Sequence, residues 1–169
     1  HSNSPESSHV HRSLEEVIFA CLDKYPGAKL DIELTENSIV DNPYAGEVLH
    51  RLRQKGVNCS LDDFGQGYAS FSYLMSLPFN TVKIDRQFTK DLLEKRENEA
   101  VVSAVVALAQ AMDMIVVAEG VETQEQLVQL KDLGCNEAQG YLFSKPLSSK
   151  DVISWIKNKG FGVSSARSS

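Results

Sequence analysis

Residues 30–63 read LDIELTENSIVDNPYAGEVLHRLRQKGVNCSLDD, and the signals in this stretch already imply a parallel sheet. Leu30 to Leu34 alternates apolar and acidic side chains, the period-two pattern of a strand. Asn42-Pro43 supplies a helix cap and the fixed φ that a first helical turn tolerates, which predicts a helix over Tyr44–Lys55 ended by Gly56. Val57–Asp62 alternates again. Strand, helix and strand in that order make a βαβ unit, with parallel strands and a right-handed crossover.

The same grammar continues on both sides. Upstream, Ser13-Leu14-Glu15-Glu16 is a capping box that opens a helix to about Tyr25, stopped by Pro26-Gly27. Downstream comes the loop Asp63-Phe64-Gly65-Gln66-Gly67, then a short helix near Ser70–Met75 and a strand Thr81–Ile84. A long helix Glu97–Met112 precedes the most apolar strand, Met114–Ala118. Thr123-x-x-Gln126 caps a helix to Leu133 that Gly134 terminates, and a short strand Asn136–Gly140 and a helix from Ser148 follow. A βα unit repeated about five times fits either an open doubly wound sheet or part of an eight-stranded barrel of roughly 250 residues. The expected domain covers 13–161, between a disordered or added segment at 1–12 and a flexible tail at 162–169.

Composition narrows the function. The chain has 169 residues, 42% of them hydrophobic, and a formal charge of −6. These values suit one soluble domain, expected in the cytoplasm, with membrane attachment of a parent chain left open. No apolar run approaches the ~20 residues of a membrane span. Net acidity disfavours a nucleic-acid polymer, which needs a basic footprint, but leaves room for a small anionic ligand held through cations. Cys21, Cys59 and Cys135 are widely spaced and form no C-x-x-C pair, so they read as reduced thiols.

Strand parity locates the chemistry. Leu30, Ile32 and Leu34 share one face, opposite Asp31 and Glu33. Val57, Cys59 and Leu61 oppose Asn58, Ser60 and Asp62, while Val82 and Ile84 oppose Thr81, Lys83 and Asp85. A sheet covered by helices on both faces should be apolar throughout. Here one face is polar, and its charges collect toward the C-terminal strand ends, where parallel α/β folds place active sites. Glu33, Asp62, Asp63, Glu119 and Glu122 cannot all stay ionised in one cleft without cations. Hard divalent ions match these all-oxygen donors, and no His or Cys competes at these positions. The pair Asp62-Asp63 suits two ions about 3.5–4 Å apart, the arrangement used for in-line displacement at phosphorus. Lys83 and Gln139 are the other polar residues of the strand ends.

These residues resemble the EAL family of cyclic di-GMP phosphodiesterases. The matching runs are Glu33-Leu34-Thr35-Glu36, Asp62-Asp63-Phe64-Gly65-Gln66-Gly67-Tyr68, Lys83-Ile84-Asp85-Arg86, Ala118-Glu119-Gly120-Val121-Glu122, and Gln139-Gly140-Tyr141 followed by Lys145-Pro146-Leu147. The resemblance implies an α/β fold of the (β/α)8 TIM-barrel type in which these runs are strands four to eight, so the barrel is N-terminally truncated. It implies Glu33, Asp62, Asp63 and Glu119 as ligands of two Mg²⁺ or Mn²⁺ ions. Lys83 would contact the attacking water and Glu119 would accept its proton. Asp85, Glu122 and Gln139 would face the substrate, and Glu36, Gly65 and Gly67 would support the loop after Asp63.

The expected activity is hydrolysis of cyclic di-GMP to the linear dinucleotide. The alternatives are an inactive receptor for the same ligand and a metal-dependent phosphohydrolase of another nucleotide. The Glu-Ala-Leu run that names the family does not occur in this sequence, and a metal-binding glutamate goes with it. The family's Asn-x-Ser strand has only His1-Ser2-Asn3-Ser4-Pro5 as its counterpart, with Ser2 where Asn is expected. Such a partial barrel has sheet edges to cover, which predicts a homodimer. Sensor or GGDEF-type domains in a parent chain are compatible with the resemblance. Elsewhere, His50 and the run Arg51, Arg53, Lys55 read as a solvated helix face, and Val101, Val102, Val105, Val106 and Leu108 as core. Tyr141 and Phe143 fit either core packing or contact with a purine base.

Overall fold

The computed structural model describes residues 13–40, 44–65 and 76–159. Five parallel strands form one sheet: β1 (Asp31–Thr35), β2 (Asn58–Phe64), β3 (Thr81–Ile84), β4 (Ile115–Ala118) and β5 (Glu137–Ala138). Their order in the sheet is their order in the chain. A doubly wound sheet reverses its strand order at a switch point, and this one does not, so the arrangement is that of consecutive barrel strands. Among the described residues the helices are α1 (Leu14–Lys24), α2 (Glu36–Val40), α3 (Ala45–Gln54), α4 (Arg86–Lys90), α5 (Arg96–Ala111), α6 (Gln124–Asp132) and α7 (Ser149–Lys159).

Local chemistry sets these boundaries. Ser13 and Thr123 cap α1 and α6 through complete capping boxes with Glu16 and Gln126. Gly56 follows α3 at φ +80°, a left-handed conformation that costs a glycine little. Two five-residue helices were not expected, α2 directly after β1 and α4 directly after β3. Each is too short to show a helical apolar period. α4 starts because the Asp85 carboxylate accepts from the backbone N–H of Gln87 at 2.7 Å. The cap Asn42-Pro43, the helix near Ser70–Met75, and the segments 1–12 and 162–169 lie outside the described residues.

The two sheet faces differ as the alternation predicts. In register, Ile32 sits beside Cys59, Leu34 beside Leu61, Leu61 beside Val82, and Val82 beside Val116. This face packs under the helices with Leu49, Leu52, Val102, Ala109 and Leu130, all buried. Each fully buried aliphatic side chain here contributes about 1.5–3 kcal/mol, so the helices are held by this face. The opposite face carries Asp31, Glu33, Asn58, Ser60, Asp62, Thr81, Lys83 and Val117, and Ile115 on it is 40% exposed.

At the N-terminal edge of that second face the polar groups pair off. The Asp31 carboxylate accepts from Asn58 Nδ2 at 3.0 Å and from Ser60 Oγ at 2.8 Å. Asn58 Oδ1 accepts from Asn80 Nδ2, and Asn80 Oδ1 accepts from the Cys59 N–H at 2.8 Å. This ladder ties the starts of β1, β2 and β3 together. No helix among the described residues is long and apolar enough to cross a membrane.

Candidate active site

A β-bulge builds the centre of the site. Leu61 pairs with Val82 and Phe64 with Ile84, so β2 takes three steps where β3 takes two. Leu61 and Phe64 are both buried, and the extra residue leaves Asp62 and Asp63 together between them. Asp63 absorbs the irregularity with φ +54°, an uncommon conformation for a residue with a Cβ. In a regular strand these neighbours would point to opposite faces. The period-two pattern gave no sign of this.

Lys83 collects the acids. Its side chain is 8% exposed, and Nζ lies 2.6 Å from Glu119 Oε1, 2.8 Å from Glu33 Oε1 and 3.5 Å from Asp62 Oδ1. Burial alone would lower the ammonium's pKa. The hydrogen bonds to Glu119 and Glu33 and the charges of Glu119 and Asp62 outweigh it and raise the pKa above the usual lysine range. Lys83 is therefore a fixed cation at neutral pH. Residues from the ends of four strands or the turns after them thus meet at one point.

The carboxylates outnumber that cation. Asp62 Oδ1 is buried and has no hydrogen-bond partner. Burial, the neighbouring Asp85 carboxyl and the charges of Asp62 and Glu119 all push the Asp63 carboxyl above the usual range. Crowded carboxyl groups take up a proton or a cation, and a divalent ion does that neutralising work. An orphaned oxygen and an all-oxygen donor set therefore fit a hard divalent ion. In the present arrangement Glu33, Asp62 and Glu119 turn toward Lys83, and among the described residues no three such side chains are arranged to hold a metal ion.

Around this centre the remaining candidates divide. Glu36, buried at the start of α2, accepts from the Gly65 N–H at 2.7 Å and so ties the loop after Asp63 to the end of β1. Gly65 itself has φ +100°. Gly67 lies outside the described residues. Glu122 and Gln139 do not touch the Lys83 cluster; they line an adjoining cavity of about 220 Å³ with Arg86, Glu119 and Tyr141. Glu119 borders both regions. Gly120 permits this closeness, because a Cβ there would stand 2.5 Å from the Cβ of Arg86. Tyr141 and Phe143 are 57% and 45% exposed, which removes core packing as their role. Sequence reading missed Arg86 as a wall of this cavity, although it adjoins Asp85 in a quoted run.

Comparison with known proteins follows the same residues. The model of the EAL domain matches residues 2–146. The cyclic di-GMP phosphodiesterase RocR of Pseudomonas aeruginosa is 41% identical over 147 residues, which cover 85% of this chain and 38% of RocR. The chain thus spans well under half the length of that curated relative. Among solved structures, the PaMucR phosphodiesterase in complex with c-di-GMP superposes with TM-score 0.76 at 37% identity, covering 85% of this chain and 59% of that one. A manganese and cyclic di-GMP complex of Klebsiella pneumoniae BlrP1 gives TM-score 0.67 at 32% identity, over 79% of this chain and 34% of BlrP1. With its barrel-type sheet, its strand-end acids and a family match over most of its length, this chain belongs to the EAL domain family.

Proposed function

We propose that the chain contributes the C-terminal strands of a divalent-metal-dependent phosphodiesterase that opens cyclic di-GMP to the linear dinucleotide. The observation that carries this reading is the buried Lys83 ammonium held by Glu33, Asp62 and Glu119, three acids from three strand ends. RocR and PaMucR support the substrate, and the BlrP1 complex supports a divalent ion such as Mn²⁺, with Mg²⁺ as the natural alternative.

Glu33, Asp62, Asp63 and Glu119 would hold two ions, which supply charge neutralisation and Lewis acidity at the scissile phosphate. The protein's own groups do the rest. Lys83 offers donors to the attacking water and to the phosphoryl oxygens, and its permanent charge favours the more anionic transition state. Glu119, bonded to Lys83, would take the proton of that water. Asp85 orders the turn into α4 and keeps its carboxyl beside that of Asp63. Glu122, Gln139 and Tyr141 offer the substrate a carboxylate, an amide and an aromatic face. Glu36 and Gly65 hold the loop against the centre. Among the described residues β1 and β5 each have one unpaired edge, which supports pairing with further strands of a parent chain or of a second copy.

The test assays residues 1–169 and the parent protein side by side for linear dinucleotide, with Mn²⁺ or Mg²⁺. The Glu-Ala-Leu run is not in residues 1–169, so the parent should turn over and the shorter chain should be slow. A parent that binds cyclic di-GMP tightly without cleaving it would make this a receptor.

A further inference from the structure

The capping box of α6 does more than start a helix. Gln126 is buried, and its side chain makes four hydrogen bonds. Oε1 accepts from the N–H groups of Glu122 at 2.8 Å and Thr123 at 3.0 Å. Nε2 donates to the carbonyls of Thr89 at 3.1 Å and Lys90 at 3.2 Å. A capping box requires only the first half, an acceptor reaching back to the cap, which glutamate supplies as well as glutamine. The donor half reaches a different element, the end of α4.

Each end of this bridge leads to the reacting groups. The Glu122 side begins at Glu119, which is bonded to Lys83. The α4 side begins at its cap Asp85, whose carboxyl neighbours that of Asp63. A buried amide with all its hydrogen-bonding capacity in use is a rigid connection, because breaking any bond leaves a buried polar group unpaired.

We infer that Gln126 is a positioning residue for the phosphodiesterase reaction, clamping the turn after β4 to the helix after β3 so that Glu119 and Asp85 keep a fixed separation. The inference rests on the proposed activity. Its test therefore includes a readout that does not need turnover.

The informative variant is Gln126→Glu, which keeps the acceptor and removes the donors. Thr123→Ala is its control: it removes the other half of the cap, where Thr123 Oγ1 accepts from the Gln126 N–H at 3.2 Å, and leaves the bridge to α4. In the parent protein Gln126→Glu should lower kcat roughly tenfold with KM within about threefold, the signature of misplaced reacting groups. Thr123→Ala should lower the melting temperature and keep kcat within about twofold. In wild type against Gln126→Glu, amide exchange of residues 86–92 should quicken about tenfold while residues 124–132 stay protected. If Gln126→Glu does not fold, Gln126→Met should show the same kcat loss and exchange pattern.

Equal kcat in the two variants, or a change confined to KM, would overturn the positioning role. Unchanged exchange over residues 86–92 would overturn the clamp itself. A wild-type parent without turnover defeats the phosphodiesterase reading instead, and the exchange rates then decide the clamp alone.

Discussion

One sheet face carries two polar clusters of opposite character. At the N-terminal edge, Asp31, Asn58, Ser60 and Asn80 match donors to acceptors and hold a single carboxylate. Toward the C-terminal edge, Glu33, Asp62 and Glu119 crowd one ammonium, Asp63 stands beside Asp85, and one buried oxygen of Asp62 has an ion-pair partner but no hydrogen bond. The first cluster is complete as it stands and joins strands. The second carries more negative charge than its surroundings neutralise, which is the condition that a bound cation relieves. Polarity alone does not mark a functional site. The unbalanced account of charge and hydrogen bonds does.

Substitution at the unbalanced end should be the most damaging to chemistry. Asp62→Asn in the parent protein should reduce turnover by roughly 10³-fold or more and weaken Mn²⁺ binding, because a carboxylate shared by the cluster becomes neutral. Retained activity with a normal metal titration would break the contrast at once.

Lys83→Met comes next. Turnover should fall by about 10²–10³-fold, the usual effect of losing one well-placed donor or charge, while metal binding persists because an ammonium is not a ligand. The variant also leaves three carboxylates without their cation. Its melting temperature in a chelator should therefore drop further than that of the wild type, and adding Mn²⁺ should recover more of it. Calorimetry with and without the ion checks this, and equal metal responses in the two proteins would count against it. Chelation of the wild-type parent should stop turnover reversibly.

The balanced end should behave the other way round. Asn58→Ala leaves Asp31 and Asn80 short of partners and should cost about 1–3 kcal/mol of stability, with kcat within about threefold of wild type. Ser60→Ala, which removes one donor to Asp31, should cost about 1 kcal/mol and leave kinetics alone. Denaturant melts beside initial rates give both numbers. A large kcat loss in either variant would mean that the two clusters work as one.

Much of this was legible before any coordinates. Alternation in 30–34 and 57–62 separated the helix-covered face from the polar one, and capping residues at Ser13 and Thr123 placed two helices within a residue or two. What sequence did not reveal has a common cause: it depends on deviations from periodicity. The bulge at Asp62-Asp63 puts Asp63 beside Asp62 and returns Phe64 to the buried face without changing a letter. α2 and α4 are shorter than two helical turns, and they exist because Thr35 and Asp85 offer oxygens to the N–H groups that follow. The convergence on Lys83 is likewise three-dimensional. Residues 33, 62, 83 and 119 lie far apart in the chain and meet only because their strands stand side by side.

The sequential order of that sheet has a consequence for how the protein is made. Among the described residues each strand after β1 pairs with the one synthesised before it, and none inserts between earlier neighbours. Over β1 to β5 a nascent chain can therefore extend its sheet one βα unit at a time as it leaves the ribosome. The surplus acids are also assembled in that order: Glu33 first, then Asp62 and Asp63, with the ammonium of Lys83 joining them before Glu119 arrives. During synthesis, the repelling charges gain their protein-borne counterion before the last carboxylate of the Lys83 cluster is added.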